Sequence, residues 1–194
     1  MDDILDKLKK RLADRDRMRI VDNTLVSAAV LVPVFFHDNE YHLLFTKRTD
    51  RLRDHKGQIC FPGGRCEDCD ESSLETALRE SFEEIGLDPE KVDIIGALDD
   101  KPTMHTNYLI TPYTGYIPWP ADLTIDPVEV ARIITVPVSA LLKEDALKPE
   151  DDPLNDGTSE GFFYYHDGNI IWGATARVLQ QFLELWSETD DRPS

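Results

Sequence analysis

The chain has 194 residues, of which 41% are hydrophobic and 30% are charged, and this composition is typical of one folded domain that needs no disulfide or zinc support. Its formal net charge of −17 argues against a purely electrostatic grip on nucleic acid or on an anionic membrane, since like charges repel. We therefore expect a single domain over residues 1–194, with neither a nucleic acid nor a membrane as its partner.

The first predicted element is an amphipathic helix near the N-terminus. Its apolar residues recur at helical spacing among many charges: Ile4, Leu5, Leu8 and Leu12. We interpret residues 1–20 as a peripheral helical segment. The first residues lack a basic stretch followed by an apolar run, and no apolar run reaches the roughly 20 residues that cross a bilayer, so the expected location is the cytoplasm.

The sequence contains three cysteines, Cys60, Cys66 and Cys69, which cannot all pair with one another, in agreement with a reducing compartment. The Cys66-x-x-Cys69 spacing occurs in zinc and redox sites, but the sequence has no second pair that would complete a zinc shell. Free thiols are therefore the favoured interpretation.

A β-hairpin is predicted after the N-terminal helix. The apolar, β-branched run at 25–36 predicts a buried strand, Asp38-Asn39 a turn, and 41–46 the returning strand. Residues 47–56 then reverse the sign of the local charge. Their basic side chains are Lys47, Arg48, Arg51, Arg53, His55 and Lys56. Such a segment can offset the repulsion between an acidic protein and an anionic substrate.

The remaining elements are mostly strands. They are predicted at 58–61, 92–98, 108–117, 130–136 and 162–166, with helices at 73–85 and 174–186. Two segments are predicted to lack regular structure, a surface loop at 147–160 and a flexible tail at 187–194. Because strands outnumber helices and the connections vary in length, we predict an α/β (α+β) fold in which helices flank a mixed β-sheet.

The helix at 73–85 carries the candidate chemistry. Ser72 with Glu75 three residues later forms a capping box, while Gly86 and Pro89 end the helix. At about 100° per residue, one face collects the apolar side chains of Leu74, Leu78, Phe82 and Ile85. The opposite face collects three carboxylates, those of Glu80, Glu83 and Glu84.

These three carboxylates form a candidate metal site. Like charges on one helical face destabilise the helix, and a divalent cation would remove that effect. Mg²⁺ binds carboxylate oxygen and water and keeps open positions for phosphate, so it suits this face. The alternative interpretation is a solvated acidic surface. Upstream, the glycines of Phe61-Pro62-Gly63-Gly64 permit a loop that approaches a ligand or a metal closely.

The segment from Gly64 to Leu87 resembles the Nudix box, the motif that defines the Nudix hydrolases, with the pattern G-x5-E-x7-R-E-U-x-E-E-x-G-U in which U is aliphatic. The matching positions are Arg79, Glu80, Glu83, Glu84, Gly86 and Leu87. Ser81 stands where the pattern has an aliphatic residue. The first half is one residue longer than the pattern, so either Asp70 or Glu71 stands for its first acid.

The resemblance extends to the coenzyme A pyrophosphatase branch of this family. The similar residues are Leu43-Leu44, Arg48-Thr49, Arg53, Gly57 and Phe61-Pro62-Gly63-Gly64, and downstream Glu129-Val130, Val136-Pro137 and Ile171-Trp172-Gly173-Ala174-Thr175. Phe45 and Thr49 depart from the branch pattern. The likeness covers most of residues 25–186.

The resemblance implies a Nudix-like α/β/α sandwich and a hydrolysis that depends on Mg²⁺ or Mn²⁺, in which water attacks one phosphorus of a pyrophosphate and the other phosphate leaves. It implies that Glu80 and Glu84 are metal ligands and that Glu83 is a further ligand or the catalytic base. Arg79 would orient these carboxylates. Glu129 is a rival base, and the alternative for this residue is an ordinary loop acid.

For coenzyme A, the products would be 4′-phosphopantetheine and adenosine 3′,5′-bisphosphate. Arg48, Arg53 and His55 would contact the substrate, with Gly63-Gly64 approaching it closely; alternatively, the basic residues only balance nearby acids and His55 makes a structural hydrogen bond. Two other functions stay open, namely hydrolysis of another nucleoside diphosphate, such as ADP-ribose or a dinucleotide, and nucleotide binding without turnover. A homodimer is a candidate assembly, since dimers are the commonest oligomers.

Overall fold

The computed structural model describes residues 3–50, 56–103, 106–143, 146–148 and 163–189. Its helices are α1 (Asp3–Asp14), α2 (Ser73–Ile85), α3 (Val138–Leu141) and α4 (Gly173–Ser187), with a 3-10 helix at Pro89–Lys91. Its strands are β1 (Val26–His37), β2 (Glu40–Arg48), β3 (Ile59–Cys60), β4 (Gly63–Arg65), β5 (Asp93–Ala97), β6 (Lys101–Pro102), β7 (Tyr108–Tyr116), β8 (Val130–Pro137), β9 (Leu147–Lys148), β10 (Phe163–His166) and β11 (Asn169–Ile171). The short elements β4, β6, β9, β11, α3 and the 3-10 helix were not among the predicted ones. β9 corrects the start of the predicted loop at 147–160, and α4 includes the first residue of the predicted tail at 187–194; residues 149–160 and 190–194 of these two segments lie outside the described ranges.

β1 lies at the centre of a mixed sheet. Within the described ranges, eight strands form this sheet in the order β3-β2-β1-β7-β5, with β4 on β1, β6 on β7 and β8 on β2. β1 and β7 are parallel, and the other pairs are antiparallel. A smaller sheet has the order β11-β10-β9. The predicted α+β fold with a mixed sheet is thus confirmed.

Helices cover both faces of the large sheet. Leu31 of β1 lies in an apolar cluster with Ile85 of α2. The next residue, Val32, lies in a second cluster that contains the buried residues of α1 and α4. Successive side chains of a strand point to opposite faces, so the two clusters are the two sides of one sheet. This is the α/β/α layering that the resemblance to the Nudix hydrolases implies.

The predicted hairpin joins β1 to β2. His37 pairs with Glu40, and the two residues between them form the turn. Asp38 and Asn39 have φ angles of 48° and 66°, the left-handed conformation that two-residue hairpin turns require. Asp and Asn adopt this conformation more readily than most residues, which explains why the turn could be predicted from these two residues.

α1 packs its apolar face on the same side of the sheet as α4. Leu8 is fully buried there, and a Cβ added to Gly96 of β5 would lie 2.8 Å from Leu12. The chain that follows α1 is joined to the body of the protein by an ion pair of 2.5 Å between Arg17 and Asp100. No helix in the described part of the chain has both the length and the apolar composition needed to cross a bilayer.

Candidate active site

α2 begins and ends where the sequence predicts. The Ser72 side chain accepts a hydrogen bond of 3.2 Å from the Glu75 backbone N–H, which caps the first turn. Gly86 ends the helix in the left-handed conformation, with φ of 68°, and its N–H donates to the Phe82 carbonyl. The Glu75 carboxylate accepts from the Glu71 backbone N–H at 2.6 Å. The two caps fix the stretch of helix that presents the glutamates.

The structure corrects the predicted division of α2 into an apolar face and an acidic face. The buried residues of this helix are Thr76, Ala77, Ser81, Glu84 and Ile85. Phe82 is 55% exposed, whereas Glu84 is buried next to Ile85. The small side chains of Ala77 and Ser81 let the helix approach the sheet closely, and the Ser81 hydroxyl is satisfied because it donates to the Ala77 carbonyl at 2.6 Å. One of the three glutamates therefore faces inward.

Gly64 makes room for the Glu80 carboxylate. A Cβ added to Gly64 would lie 2.5 Å from the Glu80 carboxyl carbon. Gly63 has φ of 150°, and a Cβ added there would lie 2.3 Å from the Ala29 carbonyl oxygen. The sequence predicts that these glycines form a loop, but both belong to β4, where they pair with Ala29 and Val30 of β1. The close approach to α2 is thus made by a strand.

Glu84 is a buried carboxylate with an incomplete set of partners. Its side chain is 3% exposed, and its Oε1 lies 3.7 Å from Nη1 of Arg48. Its Oε2 has no hydrogen-bond partner in the part of the chain that the structure describes. Burial raises the pKa of Glu84 to about 8 against the opposing effect of Arg48, and the charges of Glu129 and Glu80 raise it further. A cation beside this oxygen would stabilise the ionised form.

Arg79 connects the other two glutamates of the helix. Its Nη1 donates to Oε1 of Glu80 at 3.0 Å and to Oε2 of Glu83 at 3.1 Å. Burial raises the pKa of Glu80, and Arg79 opposes that rise. The Glu83 side chain is 57% exposed. Glu80 is therefore a half-buried member of the acidic group, and Glu83 lies at its edge toward solvent.

Asp70 holds Arg79 in place with two hydrogen bonds. Its Oδ1 accepts from Nε of Arg79 at 2.9 Å and its Oδ2 from Nη2 at 3.0 Å. These bonds lower the pKa of Asp70 well below its usual range. Asp70 also accepts from the Thr76 hydroxyl at 2.8 Å, which ties it to the first turn of α2. Of the two candidates for the first acid of the box, Asp70 and Glu71, it is Asp70 that pairs with Arg79.

Two further predicted site residues reach this place from other elements. Arg48 is the last residue of β2, and its guanidinium lies beside Glu84. Glu129 precedes β8, and its charge raises the pKa of both Glu80 and Glu84. The end of β2 and the turn before β8 thus both contribute charged residues beside the glutamates of α2. Arg53 and His55, which were also predicted to contact the substrate, lie outside the described residues.

Cys60 is a neighbour of the site that no sequence motif indicates. Its sulfur lies 3.3 Å from the Thr46 hydroxyl oxygen, across the β2–β3 pairing. Burial and then the charge of Glu84 raise the pKa of Cys60 to about 11, although Thr46 and Arg48 oppose the rise, so the thiol is protonated at neutral pH. Cys60, Cys66 and Cys69 are all free thiols, as the sequence predicts.

The donor set of the site fits a hard divalent cation. Carboxylate oxygens are the ligands that Mg²⁺ and Mn²⁺ prefer, and Oε2 of Glu84 is a buried acceptor that still lacks a partner among the described residues. Within those residues, no three acidic, histidine or cysteine side chains already converge at coordination distance. Arg79 holds Glu80, and Arg48 lies beside Glu84, so a metal ion would compete with these two arginines.

Known proteins share both sequence and fold with this chain. The NUDIX domain family matches residues 27–156. The Nudix hydrolase NudL of Photorhabdus laumondii is 35% identical over 175 residues, which cover 90% of this chain and 88% of the relative. Nudix hydrolase 3 of Caenorhabditis elegans is 34% identical over 86% of this chain and 77% of the relative. RenU, a Nudix hydrolase from M. smegmatis, has a similar fold, with a TM-score of 0.58 and 16% identity over 87% of this chain and 89% of its own. The chain therefore belongs to the NUDIX domain family and is a Nudix hydrolase.

Proposed function

We propose that this Nudix hydrolase cleaves the pyrophosphate bond of coenzyme A, or of one of its derivatives, with Mg²⁺ or Mn²⁺ as cofactor. The products would be 4′-phosphopantetheine and adenosine 3′,5′-bisphosphate. The observation that carries the proposal is the buried Glu84 carboxylate, whose Oε2 lacks a partner among the described residues, on the same helix as a Glu80 carboxylate that Gly64 leaves unobstructed.

The proposed roles of the three glutamates of α2 follow from how deeply each is buried. Glu80 and Glu84 would hold the ion, and Glu83 would add an oxygen from the solvent edge of the same helix. A divalent ion bound there supplies positive charge to the diphosphate and lowers the pKa of water. Arg79, itself fixed by Asp70, keeps Glu80 and Glu83 oriented.

A general base must take the proton of the attacking water while the leaving phosphate departs with the electrons of the broken P–O bond. Glu83 and Glu129 are the two candidates. Glu83 has the more exposed position and an arginine partner, whereas Glu129 approaches from a different element. Comparing the pH–rate profiles of Glu83→Gln and Glu129→Gln separates them, because only the loss of the base removes the acidic limb of the profile.

The choice of coenzyme A rests on the branch resemblance and on the basic segment at 47–56. Arg48 of that segment lies at the site, where it faces Glu84. A guanidinium can bind phosphate through two hydrogen bonds, so such residues suit the 3′-phosphate that distinguishes coenzyme A from dephospho-coenzyme A. Local cations are also needed because the protein as a whole repels an anionic substrate.

The deciding experiment is a screen of the purified enzyme against coenzyme A, acyl-coenzyme A, oxidised coenzyme A, ADP-ribose, NADH and dNTPs, each with Mg²⁺, with Mn²⁺ and with a chelator. We expect the highest kcat/KM for a coenzyme A derivative and no turnover with the chelator. A higher kcat/KM for ADP-ribose or a dinucleotide would overturn the proposed substrate. Nucleotide binding without metal-dependent turnover would overturn the proposed reaction.

A further inference from the structure

The turn that carries Glu129 is fastened to α2 on one side. The Asp126 backbone N–H donates to the Glu84 carbonyl at 2.9 Å, and the Asp126 carbonyl accepts from the Val130 N–H at 2.8 Å. The Asp126 carboxylate accepts from the Val128 N–H at 2.9 Å. Asp126 therefore closes the turn internally and joins it to the backbone of a proposed metal ligand.

Thr49 fastens the same turn to the end of β2. Its backbone N–H donates to the Glu129 carbonyl at 2.9 Å, and its hydroxyl donates to the Val128 carbonyl at 2.8 Å. Thr49 is 7% exposed, so the hydroxyl has little access to water. Threonine is also stiff about χ1, which fixes the direction of the donor. Two successive carbonyls of the turn are thus held by one residue.

A β-bulge in the β2–β8 pairing places the residues just before β8 on the side of the sheet that α2 covers. Lys47 pairs with Arg132 and Arg48 pairs with Val130, so Ala131 is the extra residue. Ala131 and Arg132 are both exposed, whereas Val130 is 1% exposed and lies in the apolar cluster on the α2 side. The bulge therefore turns the chain before β8 toward the helix. Bulges beside active sites commonly redirect side chains in this way.

We infer that Thr49 is a positioning residue, which acts through the turn to hold the Glu129 carboxylate beside Glu80 and Glu84. The inference rests on the proposed function, because it gives Glu129 a role toward the metal or the water. The Thr49 hydroxyl makes one neutral hydrogen bond to Val128, which is itself 62% exposed, so we expect its loss to lower the free energy of unfolding only slightly. Without the hydroxyl, Thr49 holds the turn by its backbone hydrogen bond alone, so the Glu129 carboxylate is positioned less firmly.

The test is a double-mutant cycle on Mn²⁺ affinity, measured by electron paramagnetic resonance without substrate. Thr49→Val removes the hydroxyl and keeps the shape, Thr49→Ser keeps the hydroxyl, and Thr135→Val is a matched control at an exposed position of β8. We expect Thr49→Val to weaken Mn²⁺ binding about 10-fold and to lower kcat with little change in KM. Thr49→Ser and Thr135→Val should bind as the wild type does. In a Glu129→Gln background, Thr49→Val should have no further effect.

Each other outcome contradicts a defined part of the reasoning. Wild-type Mn²⁺ affinity in Thr49→Val, an equal loss in Thr49→Ser, or an undiminished loss in the Glu129→Gln background overturns the inference alone. A Thr49→Val protein that melts well below Thr49→Ser also overturns it, since the hydroxyl would then support the fold as a whole. A wild-type chain that binds no Mn²⁺ overturns the inference and the proposed function together. Normal Mn²⁺ binding without hydrolysis contradicts the proposed function alone.

Discussion

The carboxyl group of Glu80 occupies the space that a side chain on Gly64 would fill, with 2.5 Å between its carbon and the Cβ position. No real Cβ tolerates a contact of that length, so the position of this proposed metal ligand depends on the missing side chain of a residue in a different element. The neighbouring glycine has another role, because the Cβ of an alanine at Gly63 would meet the backbone of β1.

Gly64→Ala should therefore lower activity while the fold survives. Displacement of a catalytic group by about 1 Å can reduce the rate about 100-fold, and we expect a loss in kcat of that order. Gly63→Ala should instead lower the melting temperature, because backbone atoms cannot move aside as a glutamate side chain can. Steady-state kinetics and thermal melts of both variants check this contrast. Equal melting temperatures, or a fully active Gly64→Ala, would contradict it.

The raised pKa of Glu84 should make the metal-free protein less stable as the pH rises. The pKa goes from its ordinary 4.5 in the unfolded chain to about 8 in the fold, so between these values the folded state binds more protons. The stability contribution is fully present below pH 4.5 and is lost as the pH rises through 8. The glutamine of Glu84→Gln does not ionise, so the variant lacks this pH dependence. The free energy of unfolding of the variant minus that of the wild type should therefore increase by a few kcal/mol from the lower to the upper end of this window. Urea titrations with chelator at both ends of the window measure it; a constant difference would rule the explanation out.

Asp70→Asn should weaken catalysis without removing any proposed metal ligand. It replaces the carboxylate that fixes Arg79, and loss of such an outer partner typically lowers activity or metal affinity about 10- to 100-fold. Glu71→Gln is the matched control, because the adjacent carboxylate makes no described contact with Arg79. Measurements of kcat and Mn²⁺ affinity on both variants decide between the two acids. Similar losses in both, or a loss confined to Glu71→Gln, would refute the assignment.

The orientation of α2 predicts unequal effects for two apolar residues of the helix. Ile85 is fully buried and Phe82 is 55% exposed. Ile85→Ala should lower the free energy of unfolding by about 2–5 kcal/mol, whereas Phe82→Ala should change it by about 0.5 kcal/mol or less. Chemical denaturation of both variants and the wild type measures these changes in the free energy of unfolding. Should Phe82→Ala prove the more damaging, the helix would present the face that the sequence pattern suggests.

Arg53→Ala should abolish discrimination between coenzyme A and dephospho-coenzyme A. If Arg53 contacts the 3′-phosphate, the variant raises KM for coenzyme A and leaves KM for the dephospho form unchanged. Arg19→Ala, at an exposed position of the N-terminal segment, serves as the charge-matched control and should alter neither. The comparison requires KM values for both substrates in three proteins. Retained discrimination in Arg53→Ala would remove this residue from the proposed site.

Local signals in the sequence predicted the elements whose formation depends on neighbouring residues. Asp38-Asn39 marked the hairpin, and Ser72 with Gly86 marked both ends of α2. These features need no knowledge of the rest of the chain, which is why the bounds of α2 agree with the structure to the residue.

Features that depend on distant contacts were missed or wrongly predicted. The inward turn of Glu84 depends on Ala77 and Ser81 packing against the sheet, which outweighs the apolar pattern of the outer face. The pairing of Gly63 and Gly64 with β1 converts an expected loop into a strand. The contact of Thr49 with the turn before β8 joins residues about 80 positions apart, and no local pattern reports it.

The region that matches the NUDIX family, residues 27–156, is smaller than the folding unit. α1 and α4 both lie outside it, yet the second apolar cluster depends on Leu5, Leu8 and Leu12 of one and on Leu179, Phe182 and Trp186 of the other. A protein expressed from residue 27 to residue 156 would expose to water the apolar side chains that α1 and α4 cover on this face of the large sheet. We expect such a fragment to aggregate. The bounds of the family match are therefore a poor guide to the shortest chain that folds.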